Sequence, residues 1–218
     1  MKYKYIILDF GKVIAGPSTG YWDFTPTFLK LIKDIDIDKF NEKRKNHSKI
    51  LSSKITTLEE EYNMFLKFYD GVLSELNIPN YNKKISEQIA YDRTYKNDKY
   101  ELYENIYDEL DKLKKKYTLI LLTDNWPCVS NYLKDYDLEK YFDKIYISSM
   151  YGVEKINGLL FDYPIKDYNI KPKEALFIDD YEINLDNAKE KGLDVLLMDR
   201  NNSVKESKYK IIHDLYNL

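Results

Sequence analysis

The 218-residue chain has one cysteine, two histidines, seven glycines and six prolines. A lone Cys128 excludes an internal disulfide and any zinc cluster built on cysteines, and it suits a reducing compartment. His47 lies in the charged stretch EKRKNHSK and His213 is expected in a C-terminal helix, so neither has a partner at metal-ligand spacing. No apolar run approaches the ~20 residues of a membrane span, and Tyr5 to Leu8 is too short for a signal-peptide core. The expectation is a cytoplasmic protein with no membrane partner. Basic charge is not in excess either: 34 Lys and Arg against 37 Asp and Glu give a net charge of −3, interspersed along the chain. Without a basic face to neutralise phosphates, nucleic acid is not an expected partner. Gly-x-Gly-x-x-Gly and Walker lysine patterns are also missing, which removes two common nucleotide-binding modes.

What is present is an ordinary globular balance, 44% hydrophobic and 33% charged residues, in a chain long enough for one domain with an insertion. The 22 tyrosines read as compositional bias, and they leave a monomer and a homodimer equally open.

Lys4 to Phe10 is an apolar run ending near a glycine and reads as a buried strand. From Pro17 to about Asn97 the pattern is helical. Thr57 with Glu60 forms a capping box ahead of Leu58 to Asn77, where Leu58, Tyr62, Phe65, Leu66, Tyr69, Leu73 and Leu76 recur at helical spacing before Pro79. Strand and helix then alternate. Leu102, Ile106, Leu110 and Leu113 form a helix stripe, and strands are expected at Tyr117 to Leu122, Tyr141 to Ser148, Ala175 to Ile178 and Asp194 to Met198. A helix over Asn184 to Lys191 ends at Gly192. The fold class is therefore α/β with a parallel sheet, built from residues 1–16 and 98–218, with a helical insertion at 17–97.

Polar residues cluster at the carboxyl ends of three of these strands: Asp9 after IIL, Thr123 after LILL, and Asp179 with Asp180 after ALFI. Ligands of open parallel sheets bind at those ends, near the point where strand order reverses. Each residue alone could be a turn or cap residue. Their joint occurrence points to a site.

In this order the residues resemble four motifs of the haloacid dehalogenase-like hydrolases: LDFGKVI with Asp9, LILLTDN with Thr123, YGVEKINGLLF with Lys155, and LFIDDYEINLDNAKEKG with Asp179 and Asp180. The resemblance implies a Rossmann-like core with a helical cap inserted after the first strand. It implies Asp9 as a nucleophile that forms an aspartyl phosphate, Mg²⁺ held by Asp9, the Gly11 carbonyl, Asp179 and Asp180, and Lys155 offsetting negative charge. Thr123, Asp124 and Asn125, with Lys155, would hold the phosphate of a small phosphorylated metabolite such as a sugar phosphate. A carboxylate can attack a phosphate dianion only where other charges compensate, which is the physical need such a set meets.

Two positions depart from the pattern. Gly11 stands where the family's phosphatases carry the aspartate that protonates the leaving group, help ordinarily amounting to roughly 10²- to 10⁴-fold. A subgroup with an Asp-Phe-Gly or Asp-Leu-Gly first motif includes a sugar-1-phosphate phosphatase, whose leaving group needs less protonation. Ile156 replaces the proline that follows the family's lysine, and Lys171, in a Lys-Pro pair, is the rival to Lys155. Three readings stand: a Mg²⁺-dependent phosphatase, a catalytically weak phosphate-binding or interaction protein, and a dehalogenase, against which the paired carboxylates speak. Lys12 reads as a solvated lysine, and Trp22 and Trp126 as packing residues that flank the crevice in sequence.

Overall fold

A computed structural model describes residues 2–52 and 54–218. The chain divides into two compact units, one of residues 1–16, 102–125 and 133–218, the other of residues 17–101 and 126–132.

The first unit is built on a six-stranded sheet of β1 (Tyr5–Leu8), β4 (Thr118–Thr123), β5 (Lys144–Ile147), β6 (Ala175–Asp179), β7 (Asp194–Met198) and β8 (Ile211–Ile212), in the order β5-β4-β1-β6-β7-β8. All of its pairings are parallel, matching the α/β expectation. The runs YIIL, LILL and ALFI are apolar without alternation because these strands are buried on both faces. Ile7, Ile120, Leu122 and Phe177 share a core with Leu160, Phe161, Leu185 and Ala188. Strand order reverses at β1, with β4 on one side and β6 on the other, so the three strands bearing the candidate residues are neighbours. Leu8 is level with Leu121 and Ile178, and Asp9 N donates to Ile178 O at 3.0 Å.

The helices of this unit are α5 (Ile106–Lys114), α6 (Cys128–Asp135, shared with the second unit), α7 (Ser148–Tyr151), α8 (Asp162–Asp167) and α9 (Glu182–Glu190). Arg200, just past β7, is pinned by a bidentate pair with Glu109 of α5, at 2.9 and 2.6 Å, and donates twice to Val13 O at 3.1 and 2.8 Å.

The second unit holds α1 (Pro26–Leu31), α2 (Ile37–His47), α3 (Leu58–Ser74) and α4 (Lys83–Tyr95). Its core is aromatic: Phe24, Phe28, Phe40, Phe65, Phe68 and Tyr69 pack together, with Phe24 stacked on Phe28 at 4.6 Å. Thr57 and Glu60 form the expected capping box at the start of α3. Among the described residues no helix is long and apolar enough to cross a membrane.

Several sequence expectations shift. Leu102 belongs to β3 (Tyr100–Leu102), which pairs with β2 (Ala15–Pro17) in a small second sheet, so the stripe of α5 starts at Ile106. Tyr141 closes a 3-10 turn and Ser148 opens α7, trimming the third expected strand to β5. α3 stops at Ser74, five residues before Pro79. Its buried face runs through Glu61, Met64, Phe65, Phe68, Tyr69, Val72 and Leu73, rotated from the apolar stripe and enclosing a carboxylate. His213 follows β8 in a turn, and its ring meets Asp199 O at 2.7 Å.

Candidate active site

Asp9 lies one residue beyond β1, Thr123 closes β4, Asp179 closes β6 and Asp180 follows it. The fold therefore sets all four at one end of one sheet. Lys155 comes from a 3-10 turn, Lys155–Asn157, that follows α7. Its backbone is gripped from both sides: Lys155 N donates to the Asp124 carboxylate at 3.1 and 3.2 Å, while Asn187 Nδ2 of α9 donates to Lys155 O at 3.0 Å and Ile156 O at 2.7 Å. Ile156 supplies a carbonyl to this grip and leaves its side chain exposed, so the turn forms without a proline.

With its turn so held, Lys155 is 1% exposed and its ammonium sits 2.7 Å from Asp9 Oδ1 and 2.6 Å from Asp179 Oδ2. Lys171 is exposed, and its N–H donates to Glu174 at 3.1 Å in the loop before β6, so Lys155 is the lysine brought to the carboxylates.

Asp179 is fully buried and accepts three hydrogen bonds: Oδ1 from Tyr181 N at 2.8 Å, and Oδ2 from Lys155 and from Asn184 Nδ2, the latter at 3.1 Å. Asp180 is partly open and pairs with Lys12 at 3.0 Å. One oxygen from each of Asp9, Asp179 and Asp180 lies within 4.8 Å of the others.

Burial is the largest influence on Asp9 and pushes its carboxyl up to about 8, against the pull of Lys155 and with Asp179 and Asp180 pushing further. Asp180 is raised as well, first by burial and then by Asp179, with Lys12 opposing. Burial works against the Lys155 charge, but Asp179, Asp9 and Asp124 outweigh it and hold the ammonium above the usual lysine range. Three carboxyl groups thus face one resident lysine, and joint ionisation of all three is disfavoured without further positive charge.

A divalent cation fits that imbalance. The donors are all oxygens, as hard cations require, and the buried Asn184 Oδ1 has no hydrogen-bond partner. Asp9 meets Lys155 through Oδ1 alone and Asp180 pairs with Lys12, whereas Asp179 accepts on both of its oxygens.

Thr123 is buried at its strand end, and Asn125 N donates to Ser148 Oγ at 3.2 Å, which fixes the turn leaving β4. Asp124 accepts from Lys155 N, so the carboxylate beside the expected phosphate position is already paired. Sequence reasoning missed Asn184, Asn187 and Ser148. Asn184 and Asn187 share one face of α9, the spacing of three that could have drawn attention to them.

Known proteins share this fold. A D-ribitol-5-phosphate phosphatase of Bacteroides thetaiotaomicron is 25% identical over 206 residues, covering 88% of this chain and 89% of that protein. A HAD family enzyme of the same organism has a crystal structure that matches 93% of this chain and 97% of its own, at 21% identity and a TM-score of 0.67. The magnesium-bound structure of the putative HAD-hydrolase YfnB from Bacillus subtilis matches all of both chains, with a TM-score of 0.71 at 15% identity. The L-2-haloacid dehalogenase of Xanthobacter autotrophicus, at 12% identity, covers 98% of this chain and 96% of its own with a TM-score of 0.69, so these likenesses speak to fold alone. The model of the family described as haloacid dehalogenase-like hydrolase matches residues 52–198, a span that takes in Thr123, Lys155, Asp179 and Asp180 and begins after Asp9. With a match of that extent over a sheet and strand-end constellation of this kind, the chain belongs to the haloacid dehalogenase-like hydrolase family.

Proposed function

We propose that the protein is a Mg²⁺-dependent phosphatase of a small phosphorylated sugar or polyol, with Asp9 as nucleophile. The observation that carries this reading is the Asp9, Asp179 and Asp180 triad, its oxygens within 4.8 Å of one another beside a single buried lysine. Three clustered carboxylates are costly to keep ionised without a cation, and carbon–halogen hydrolysis has no use for that cost. The match to a D-ribitol-5-phosphate phosphatase supports the substrate class.

Asp9, Asp180 and the Gly11 carbonyl, with Asp179 acting through water or through Lys155, would hold a divalent cation, whose charge when bound would offset that of the substrate's phosphate. Lys155, fixed by Asp179, keeps one Asp9 oxygen oriented and leaves the other to attack phosphorus. Thr123 and the N–H groups following it would receive phosphate oxygens. Attack forms the Asp9–phosphorus bond and breaks the bond from phosphorus to the leaving oxygen, which takes its proton from solvent because Gly11 has none to give. Water then cleaves the aspartyl phosphate, releasing inorganic phosphate and restoring Asp9. Without an acid at Gly11, rates should follow leaving-group acidity, a nitrophenyl ester turning over faster than a polyol phosphate.

The test is phosphate release from a panel of sugar and polyol phosphates and a nitrophenyl ester, with and without Mg²⁺. Turnover that requires Mg²⁺ and falls by at least about 10³-fold in Asp9→Asn supports the reading. Folded protein that releases no phosphate from any member of the panel refutes it.

A further inference from the structure

We propose that Lys12 is an exchangeable counter-ion: its ammonium neutralises Asp180 until a divalent cation binds, and then moves into the cavity beside it. The inference rests on the cation site of the preceding section and adds a positioning residue to it.

Two lysines touch the carboxylates, and their settings differ. The Lys155 side chain is 2% exposed and contacts two carboxylates, whereas the Lys12 side chain is 50% exposed and contacts one, Asp180, at 3.0 Å. Lys155 cannot leave without stranding buried charge. Lys12 can.

Charge balance gives Lys12 a reason to leave. Three carboxylates, Asp9, Asp179 and Asp180, face one locked lysine, Lys155, so that when all three are ionised two negative charges are left over, as many as a divalent cation carries. Lys12 supplies part of that balance when the cation is absent and is superfluous when it is present. Both cations seek the Asp180 carboxylate, whose side chain is the most exposed of the triad.

The local structure confines the exchange to the side chain. Lys12 has a left-handed backbone, φ 53°, closed by Lys12 N donating to Ala15 O at 2.8 Å, while Arg200 clamps the next carbonyl, Val13 O. A non-glycine residue held in that region is a conformation that its surroundings impose. Beside it opens a cavity of about 100 Å³ lined by Lys12, Asp180, Tyr103, Arg200, Asn201 and Ser203. The hydroxyls of Tyr103 and Ser203 and the Asn201 amide offer oxygens to an ammonium, and Arg200 is spent on Glu109 and Val13. The displaced ammonium therefore has room and acceptors within reach of the same stem.

Isothermal titration of the full chain with Mg²⁺, for wild type, Lys12→Met and Lys12→Arg, tests this. Removing a competing, partly solvated charge should tighten Mg²⁺ binding by about 3- to 10-fold in Lys12→Met. Lys12→Arg, which keeps the charge, should stay near wild type, a rescue that a packing role would not produce. Wild-type binding with an unchanged or weaker constant in Lys12→Met overturns the counter-ion role alone. Folded wild-type protein that takes up no Mg²⁺ overturns the cation site and the counter-ion role with it.

Discussion

Both units bury charge, and they do so in opposite ways. In the α/β unit, Lys155, Asp9 and Asp179 are locked into ion pairs of 2.6 and 2.7 Å, and Asp180 beside them pairs with Lys12 at 3.0 Å. In the helical unit, Arg93 lies among rings, 4.9 Å from Phe65, 5.7 Å from Trp126 and 5.9 Å from Tyr100, and its Nη1 has no hydrogen-bond partner. Glu61 accepts from Cys128 N at 2.8 Å and leaves Oε1 unpartnered. The first arrangement concentrates like charge and calls for a cation. The second spreads its charges over aromatic faces and a helix start, which is what a packed core does with ionisable groups it must hold.

If that contrast is right, substitutions should separate the units by size of effect. Lys155→Met strands two buried carboxylates and should destabilise the folded chain by about 3–5 kcal/mol in urea unfolding near neutral pH. A loss below about 1 kcal/mol would mean that the pairs are weaker than their geometry implies.

The next effect is in pH. The folded chain holds the Asp9 proton up to about 8, whereas the unfolded carboxyl releases it near 3.8. Stability contributed by that proton is complete below 3.8 and is lost as pH rises through about 8. A divalent cation favours the ionised form, so the rise in Tm caused by Mg²⁺ should be larger at about pH 8.5 than at about pH 6, by roughly 2–4 °C for each kcal/mol of added stabilisation. Equal shifts at both pH values would remove Asp9 from the cation site.

The smallest effect belongs to the helical unit. Burial raises the Glu61 carboxyl, with the Cys128 contact and Arg93 opposing, so its charged form is disfavoured in the fold. Stability from its proton is present at low pH and lost as pH rises through the raised value, and Glu61→Gln removes that loss. The variant should match wild type at about pH 4.5 and gain up to about 1 kcal/mol near pH 8 in urea unfolding. A loss of several kcal/mol would show that the Glu61 charge is structural and would erase the contrast.

The sheet was legible in the sequence because its central strands are buried on both faces and so appear as unbroken apolar runs bounded by polar residues. Asp9, Thr123, Asp179 and Asp180 were legible as candidates for a related reason, since a polar residue closing such a run is conspicuous, whereas Lys155, in a 3-10 turn, was singled out only by its likeness to a family motif. The supporting residues were not. Asn184 and Asn187 act through amides on a mixed helix face, and Arg200 acts on a backbone carbonyl of a segment far away in sequence, with no periodicity to betray either. Glu61 escaped notice because a stripe built from apolar residues steps over a carboxylate, and β3 and β8 because two or three residues carry no pattern.

The most direct measurement is a chemical trap for the covalent step. Borohydride reduces an acyl phosphate on aspartate to homoserine, which peptide mass spectrometry locates. Quenching turnover of a polyol phosphate or nitrophenyl ester this way should give homoserine at position 9, only with Mg²⁺ and substrate together, and none in Asp9→Asn. Phosphate release with position 9 unmodified, or modification at another carboxylate, would contradict the assignment of Asp9 as nucleophile.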